Sequence, residues 1–308
     1  MTRNLAVVVF PGGFNLPIWA AQRQGYFEQN GVAVTLTDTP SSTFQIQGLA
    51  EGRFDIAMTA FDNVVAYDEG QGEAEIPPNS GLFAFMGSDH GFLSVVGGKG
   101  MQSFDDLRGK KLSVDALSTG YAFVLRELLA RNGISESDVS FERAGGALNR
   151  FQELLEGSHA GTVLVTPFDL LAMNQGHVRL AAAQDELGAY QGVVGASRRS
   201  WALQNDDALI GFIRAYHRAV GFLLDPENRD IAQALLVENV RAMTPALAQQ
   251  TLDVLLHREA GFFRDVRLDP AGMETVLRLR SKFSAARRAL SNPEKYLDAS
   301  YRRRALGA

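Results

Sequence analysis

The chain has 308 residues, more than one ordinary core needs and about right for two lobes at roughly 100–200 residues per domain. With 46% hydrophobic and 21% charged residues, a net charge of −5 and a pI near 5.6, it lacks the basic face that nucleic acid demands. The absence of cysteine excludes disulfides, thiolate catalysis and cysteine-held zinc or iron–sulfur sites.

No apolar run approaches the ~18 residues of a membrane span. Met1-Thr2-Arg3-Asn4 leads straight into "LAVVVF" with no signal-peptide pattern. Read as it stands the chain is cytosolic; a mature exported chain given a new start Met reads the same way. Residues 5–10 are short, continuous and β-branched, as in a buried strand. A helix is expected from Pro17 to Asn30, stopped by Gly31, and "VAVTLTD" (32–38) alternates like a second strand. Helix 42–51, strand 54–60, helix 62–70 and strand 82–87 follow.

The pattern then restarts with "FLSVVGG" (92–98) and "SFDDLRGKKLSVD" (103–115). A helix at 121–132, "VSFERAGG" (139–146), a helix at 147–156, "GTVLVTP" (161–167) and a short helix near 168–175 complete it. Beyond "GVVGASRRSW" (192–201) the chain reads as helices only, near 206–224, 228–238, 245–257 and 270–289. Such alternation implies an α/β protein with parallel sheets and crossover helices in each of two lobes. The lobes are expected at 1–88 plus 192–308, and at 89–191, joined by strands crossing near 86–96 and 185–196. The C-terminal helices are expected to pack on the first lobe. Arg287-Arg288 and Arg302-Arg303-Arg304 read as a solvated helix face and tail.

In open α/β sheets, ligands collect beyond the carboxyl ends of the strands. That rule selects Phe14-Asn15, Thr59 to Asn63 and Ser88-Asp89-His90. In the second lobe it selects Ser118 to Tyr121, Gly145-Gly146 and Thr166 to Asp169. Each has a plainer reading as well: Ser118, Thr119 and Asp62 suit helix caps, and Tyr121 and Phe168 suit the core. Catalytic signatures are weak. The histidines at 90, 159, 177, 217 and 257 show no metal-binding spacing, no nucleophile elbow is present, and "GGKG" (97–100) lacks phosphate-loop spacing. His90 is the one plausible general acid or base. No cofactor or metal is expected.

Four segments together carry a resemblance. They are "LPIWAAQRQGYFEQNGVAVTL" (16–36), "QGLAEGRFDIAMTAFDN" (47–63), "SFDDLRGKKLSVD" (103–115) and "RFQELLEGSHAGTVLVTP" (150–167). In this order, over nearly the whole chain, they resemble the nitrate/sulfonate/taurine type of bacterial substrate-binding protein and its thiamine-pyrimidine relatives. The resemblance implies a two-lobed type II periplasmic-binding fold with a ligand cleft between the lobes, closing as hinge strands flex. It implies a monomer that hands a small molecule to an ABC importer permease. By position it places Asn15, Thr59, Asp62, Asn63, Ser118, Thr119, Tyr121 and Thr166 at the cleft. The cysteine-rich stretch of the thiamine-pyrimidine synthase branch is missing.

Asp62 would suit an amine or a protonated ring nitrogen, Gly120 would let backbone approach the ligand, and Phe14, Phe61, Tyr121 and Phe168 offer flat walls. Arg150 is the nearest cation for an anionic ligand. The expected ligand is therefore nitrogen-containing or aromatic. Two alternatives stay open: a cytosolic enzyme on the same fold acting on a small acid or heterocycle, and a sensor using the helices at 205–304 as an interaction surface.

Overall fold

The computed structural model describes residues 2–77 and 80–307. The first part alternates β1 (Arg3–Val9), α1 (Leu16–Arg23), α2 (Tyr26–Gln29), β2 (Val32–Asp38), α3 (Ser42–Ala50), β3 (Ile56–Ala60), α4 (Phe61–Asp68) and β4 (Leu82–Gly87). The second runs β5 (Leu93–Gly97), β6 (Lys111–Val114), α5 (Gly120–Arg131), β7 (Ser140–Arg143), α6 (Ala147–Glu156), β8 (Gly161–Val165), α7 (Phe168–Asn174), β9 (Val178–Ala182) and α8 (Ala183–Leu187). Strand β10 (Val193–Arg198) returns to the first sheet. It leads into α9 (Arg199–Gln204), α10 (Asp206–Leu224), α11 (Arg229–Asn239), α12 (Pro245–Leu255), α13 (Pro270–Phe283) and α14 (Ser300–Leu306).

The expected helix 17–30 is two pieces, because Gly25 turns left-handed at φ 66 and re-aims the chain. The helix expected to reach 289 stops at Phe283, where Ser284 turns extended.

Both sheets share one design. Their strand orders are β2-β1-β3-β10-β4 and β7-β6-β8-β5-β9. In each, a parallel trio is built around β1 or β6, and one strand, β10 or β5, runs antiparallel to both neighbours. The sheets are thus mixed, not purely parallel as the alternation suggests. The reversed strand is the one that arrives from the other lobe, so it enters from the opposite direction. This is the two-lobed periplasmic-binding-protein arrangement.

The continuous apolar run of β1 is covered on both faces, as a central parallel strand requires. Helix α10 buries Leu209, Phe212, Ile213, Tyr216, Ala219, Val220 and Leu223, a stripe with the three-to-four residue spacing of one helix face. Phe212 stacks on Phe27 at 5.5 Å and meets Phe85 edge-on at 6.2 Å. Each such side chain contributes about 1.5–3 kcal/mol of burial.

The C-terminal helices do not keep to one lobe. Helix α10 packs on α1 and α14, but α12 also touches α7, and α13 lies between α4 and α5. Nor is the arginine-rich end simply solvated. Arg288 pairs with Glu69, Arg302 with Asp265 at 2.7 Å, and Arg304 with Asp206.

The chain crosses between sheets at 88–92 and 183–192, and the two crossings are bonded to each other. Ser88 N donates to Val193 O at 2.9 Å, and Gly192 N to Asp89 O at 3.0 Å. The buried Asp89 ties them further: its Oδ1 accepts from Gly91 N at 2.8 Å and Val193 N at 3.1 Å. Its Oδ2 is buried without a partner, and burial pushes the carboxyl up to about 6.

Candidate functional site

A narrow cleft opens between the sheets, at the edge where the parallel strands end. Its empty volume is about 520 Å³ with the open mouth included. From the first lobe come Phe10, just past β1, with Phe14, Ala60, Asn63 and Val193. From the second come Asp115, just past β6, with Thr119, Gly120, Tyr121, Ala147, Arg150 and Val165. Strand geometry explains the set: Phe10, Ala60, Asp115 and Val165 each sit at a parallel or β8 strand's carboxyl end, where a crossover helix leaves the edge uncovered.

Three aromatic side chains, Phe10, Phe14 and Tyr121, supply the flat apolar surface. The charged groups are a carboxylate and a guanidinium, beside the polar Asn63 and Thr119. Asp115 accepts from Ser42 N, in the other lobe, at 3.1 Å through Oδ2. Burial raises its pKa, against the pull of nearby Arg150 and the bond from Ser42. Arg150 is held inside: its Nη1 donates to Gly145 O at 2.7 Å and its Nη2 to Val163 O at 3.1 Å. Burial lowers its pKa, while Asp115 raises it. Asp115 and Arg150 thus act on each other's charge without forming an ion pair among the described residues.

Of the residues expected at the cleft, the structure brings Phe14, Asn63, Thr119, Gly120 and Tyr121 to it. The others lie elsewhere. Asn15 is buried and donates from Nδ2 to Phe10 O at 2.7 Å. Thr59 is buried and its hydroxyl accepts from Asn63 Nδ2 at 2.9 Å. Asp62 is not a free carboxylate. Arg280 of α13, fully buried, donates to it from Nε at 2.7 Å and again from Nη2, and a second Nη2 bond reaches Ser118 O at 2.7 Å.

Gly120 serves this pair. A Cβ there would stand 2.5 Å from the Asp62 carboxyl carbon, so it is Asp62, not a ligand, that approaches the backbone most closely. Ser118 faces the rim, where its N–H donates to Glu73 Oε1 at 3.0 Å. Thr119 donates its hydroxyl to Ala116 O at 3.0 Å.

Phe61 and Phe168 are core, against Tyr296 at 6.4 Å and Phe151 at 5.5 Å. Thr166 borders a separate hollow with Ser94, Asp169 and Arg179, where Asp169 is held by Ser94 at 2.9 Å and Arg179 at 2.7 Å. His90 packs its ring on Phe263 at 4.4 Å, away from the cleft, and burial lowers its pKa. Sequence reasoning passed over Phe10 and Asp115, although the same carboxyl-end rule points to both. Among the described residues, no group of three His, Cys, Asp or Glu is placed to hold a metal ion.

With this geometry established, comparison with known proteins is informative. The model of the NMT1/THI5-like family matches residues 15–229. The chain belongs to the NMT1/THI5-like family. Among curated relatives, it is 24% identical over 137 residues to the 4-amino-5-hydroxymethyl-2-methylpyrimidine phosphate synthase of Schizosaccharomyces pombe. That match covers 43% of this chain and only 36% of the synthase.

Solved structures of the same fold include the periplasmic nitrate-binding protein NrtA of Synechocystis PCC 6803, at TM-score 0.78 and 12% identity over 99% of this chain and 89% of that one. The alkanesulfonate-binding protein SsuA of Xanthomonas axonopodis pv. citri, bound to MOPS, superposes at TM-score 0.75 with 17% identity over 96% and 98%. At such identities this NMT1/THI5-like chain shares their fold, and its ligand has to be argued from its own cleft. No helix among its described residues is long and apolar enough to cross a membrane.

Proposed function

We propose that this NMT1/THI5-like protein is a solute-binding protein for ABC-type import, closing two lobes on a small flat nitrogen-containing or aromatic ligand. The moving bodies would be 1–88 with 192–308 and 89–191, turning about the bonded crossings. The observation that carries the reading is the cleft itself, where aromatic faces from both lobes meet over the Asp115–Arg150 floor. Ring faces give area and the two charges give orientation, the usual division of labour in a ligand pocket. A 4-aminopyrimidine ring suits it, with amino and ring-nitrogen groups toward Asp115. The synthase relative's name contains such a ring.

That relative also favours a second reading, an enzyme acting on a small heterocycle, in which Asp115 rather than His90 would handle protons. Thermal unfolding against 4-amino-5-hydroxymethyl-2-methylpyrimidine, other pyrimidines, aromatic acids, sulfonates and nitrate separates the two. A ligand at about 100 times its Kd adds about 2.7 kcal/mol, several degrees for a chain of this size. A shift with the pyrimidine recovered unchanged is expected. A shift with the compound consumed would establish the enzyme, and no shift from any ring compound would sink the ligand class.

A further inference from the structure

Helices α3, α5 and α6 begin near the line where the lobes meet, and a helix N-terminus is where a small anion would ordinarily bind. At each of these three openings a backbone N–H, at the helix start or just before it, is bonded from the opposite lobe. Asp115 of the second lobe accepts from Ser42 N, the first residue of α3. Glu73 of the first lobe accepts from Ser118 N, at the entrance to α5, and its other oxygen accepts from Arg143 Nε at 2.8 Å. Pro40 O accepts from Gly146 N, the cap of α6, at 2.8 Å. The two carboxylates thus exchange places, each serving the other lobe's helix.

We propose that Asp115 and Glu73 are specificity-determining residues: built-in anions held at the openings of α3 and α5 as the lobes close, so that the cleft rejects free anions and accepts neutral or cationic rings. This rests on the binding reading above for the ligand, but the closed form it requires is one the empty protein also samples. Asp115 has a second part in the exclusion, since it balances the buried charge of Arg150, the remaining cation on the floor. An incoming nitrate or sulfonate would have to displace a tethered carboxylate, whose effective concentration at the helix end is far above that of a free solute.

The absence of native cysteine allows a clean distance measurement. Spin labels at Leu203→Cys and Lys110→Cys, one exposed position in each lobe, report closure by pulsed electron resonance without any ligand. A short-distance population, the closed form, is expected alongside a longer one in the ligand-free parent chain. Glu73→Gln with Asp115→Asn is expected to shift the distribution toward longer distances, and Glu73→Gln alone, at the rim, to do so in part. Titration with methanesulfonate, nitrate and 4-aminopyrimidine completes the test. Asp115→Asn is expected to tighten methanesulfonate binding at least tenfold over the parent. An unchanged distance distribution in the double variant overturns the proposal, as does tight nitrate or methanesulfonate binding by the unmodified protein. The distance arm needs no ligand, so its failure is distinct from failure of the binding reading.

Discussion

The helix openings at Phe61–Asn63 and at Gly120–Tyr121 both follow strand carboxyl ends, the first directly and the second after a short loop, and they face each other across the cleft, yet they have opposite fates. At the first, polar groups turn inward: Thr59 takes the Asn63 amide, and Asp62 is locked by Arg280. At the second, backbone is sealed by Glu73 and Tyr121 is left at the cleft with Phe10 and Phe14. What separates them is a single arginine 218 residues away in sequence from Asp62. One opening became part of the scaffold; the other leaves an aromatic ring at the cleft.

The strongest way to break this contrast is Arg280→Met. It leaves Asp62 buried without its cation, and removing one partner of a buried pair costs about 3–5 kcal/mol. Urea unfolding should show that loss. Adding Asp62→Leu should restore most of it, because an apolar pair of similar volume often replaces a buried ion pair at little cost. A loss below about 1 kcal/mol for Arg280→Met would mean that the pair does not hold α13 between the lobes.

Asp89 sharpens the contrast from the other side, being a buried carboxylate with no cation. Its native pKa of about 6 lies above the usual 3.8, so its ionised form is the costly one in the fold. The stability it contributes is fully present below about pH 4 and is lost as the pH rises through about 6. Asp89→Asn should therefore gain on the parent by about 1–3 kcal/mol between pH 4 and pH 7.5, measured as the difference in unfolding free energy. A difference independent of pH would show that Asp89 titrates normally in the hinge.

Much of this was legible in the sequence, and its failures follow a pattern. Strand β1 announces itself by a β-branched run, and α5 and α6 by their apolar stripes, because local periodicity decides those elements. The split at Gly25 was missed since a glycine between two helical patterns is also tolerated within one helix. The antiparallel insertion of β5 and β10 is a matter of chain routing, which no local pattern records. At the cleft, the carboxyl-end rule points to the edge where it opens but not to which side chains line it. Asp62 reads as free until the fold brings Arg280 to it, and Phe168 reads as a wall until Phe151 covers it.

Tyr121→Ala tests the ligand side of the contrast. Its ring is partly exposed at the cleft and meets Tyr190 at 6.4 Å, so truncation removes aromatic surface that a bound ring would cover. The Kd for the pyrimidine identified by thermal shift should weaken about tenfold, or about 1.4 kcal/mol, with the midpoint of unfolding of the free protein little changed. An unchanged Kd would reduce Tyr121 to packing.

The smallest effect is expected at Ser118, and it is informative for that reason. Its hydroxyl makes no hydrogen bond among the described residues, whereas its N–H holds Glu73 and its carbonyl holds Arg280. Ser118→Ala keeps both backbone bonds, so stability and ligand affinity should stay within about 0.5 kcal/mol of the parent. The side chain at 118 would then be interchangeable while its peptide groups are not, which is what a junction read through its backbone predicts. A larger loss of affinity would instead show that the serine hydroxyl reaches the ligand, and would return this opening to the role of a direct contact.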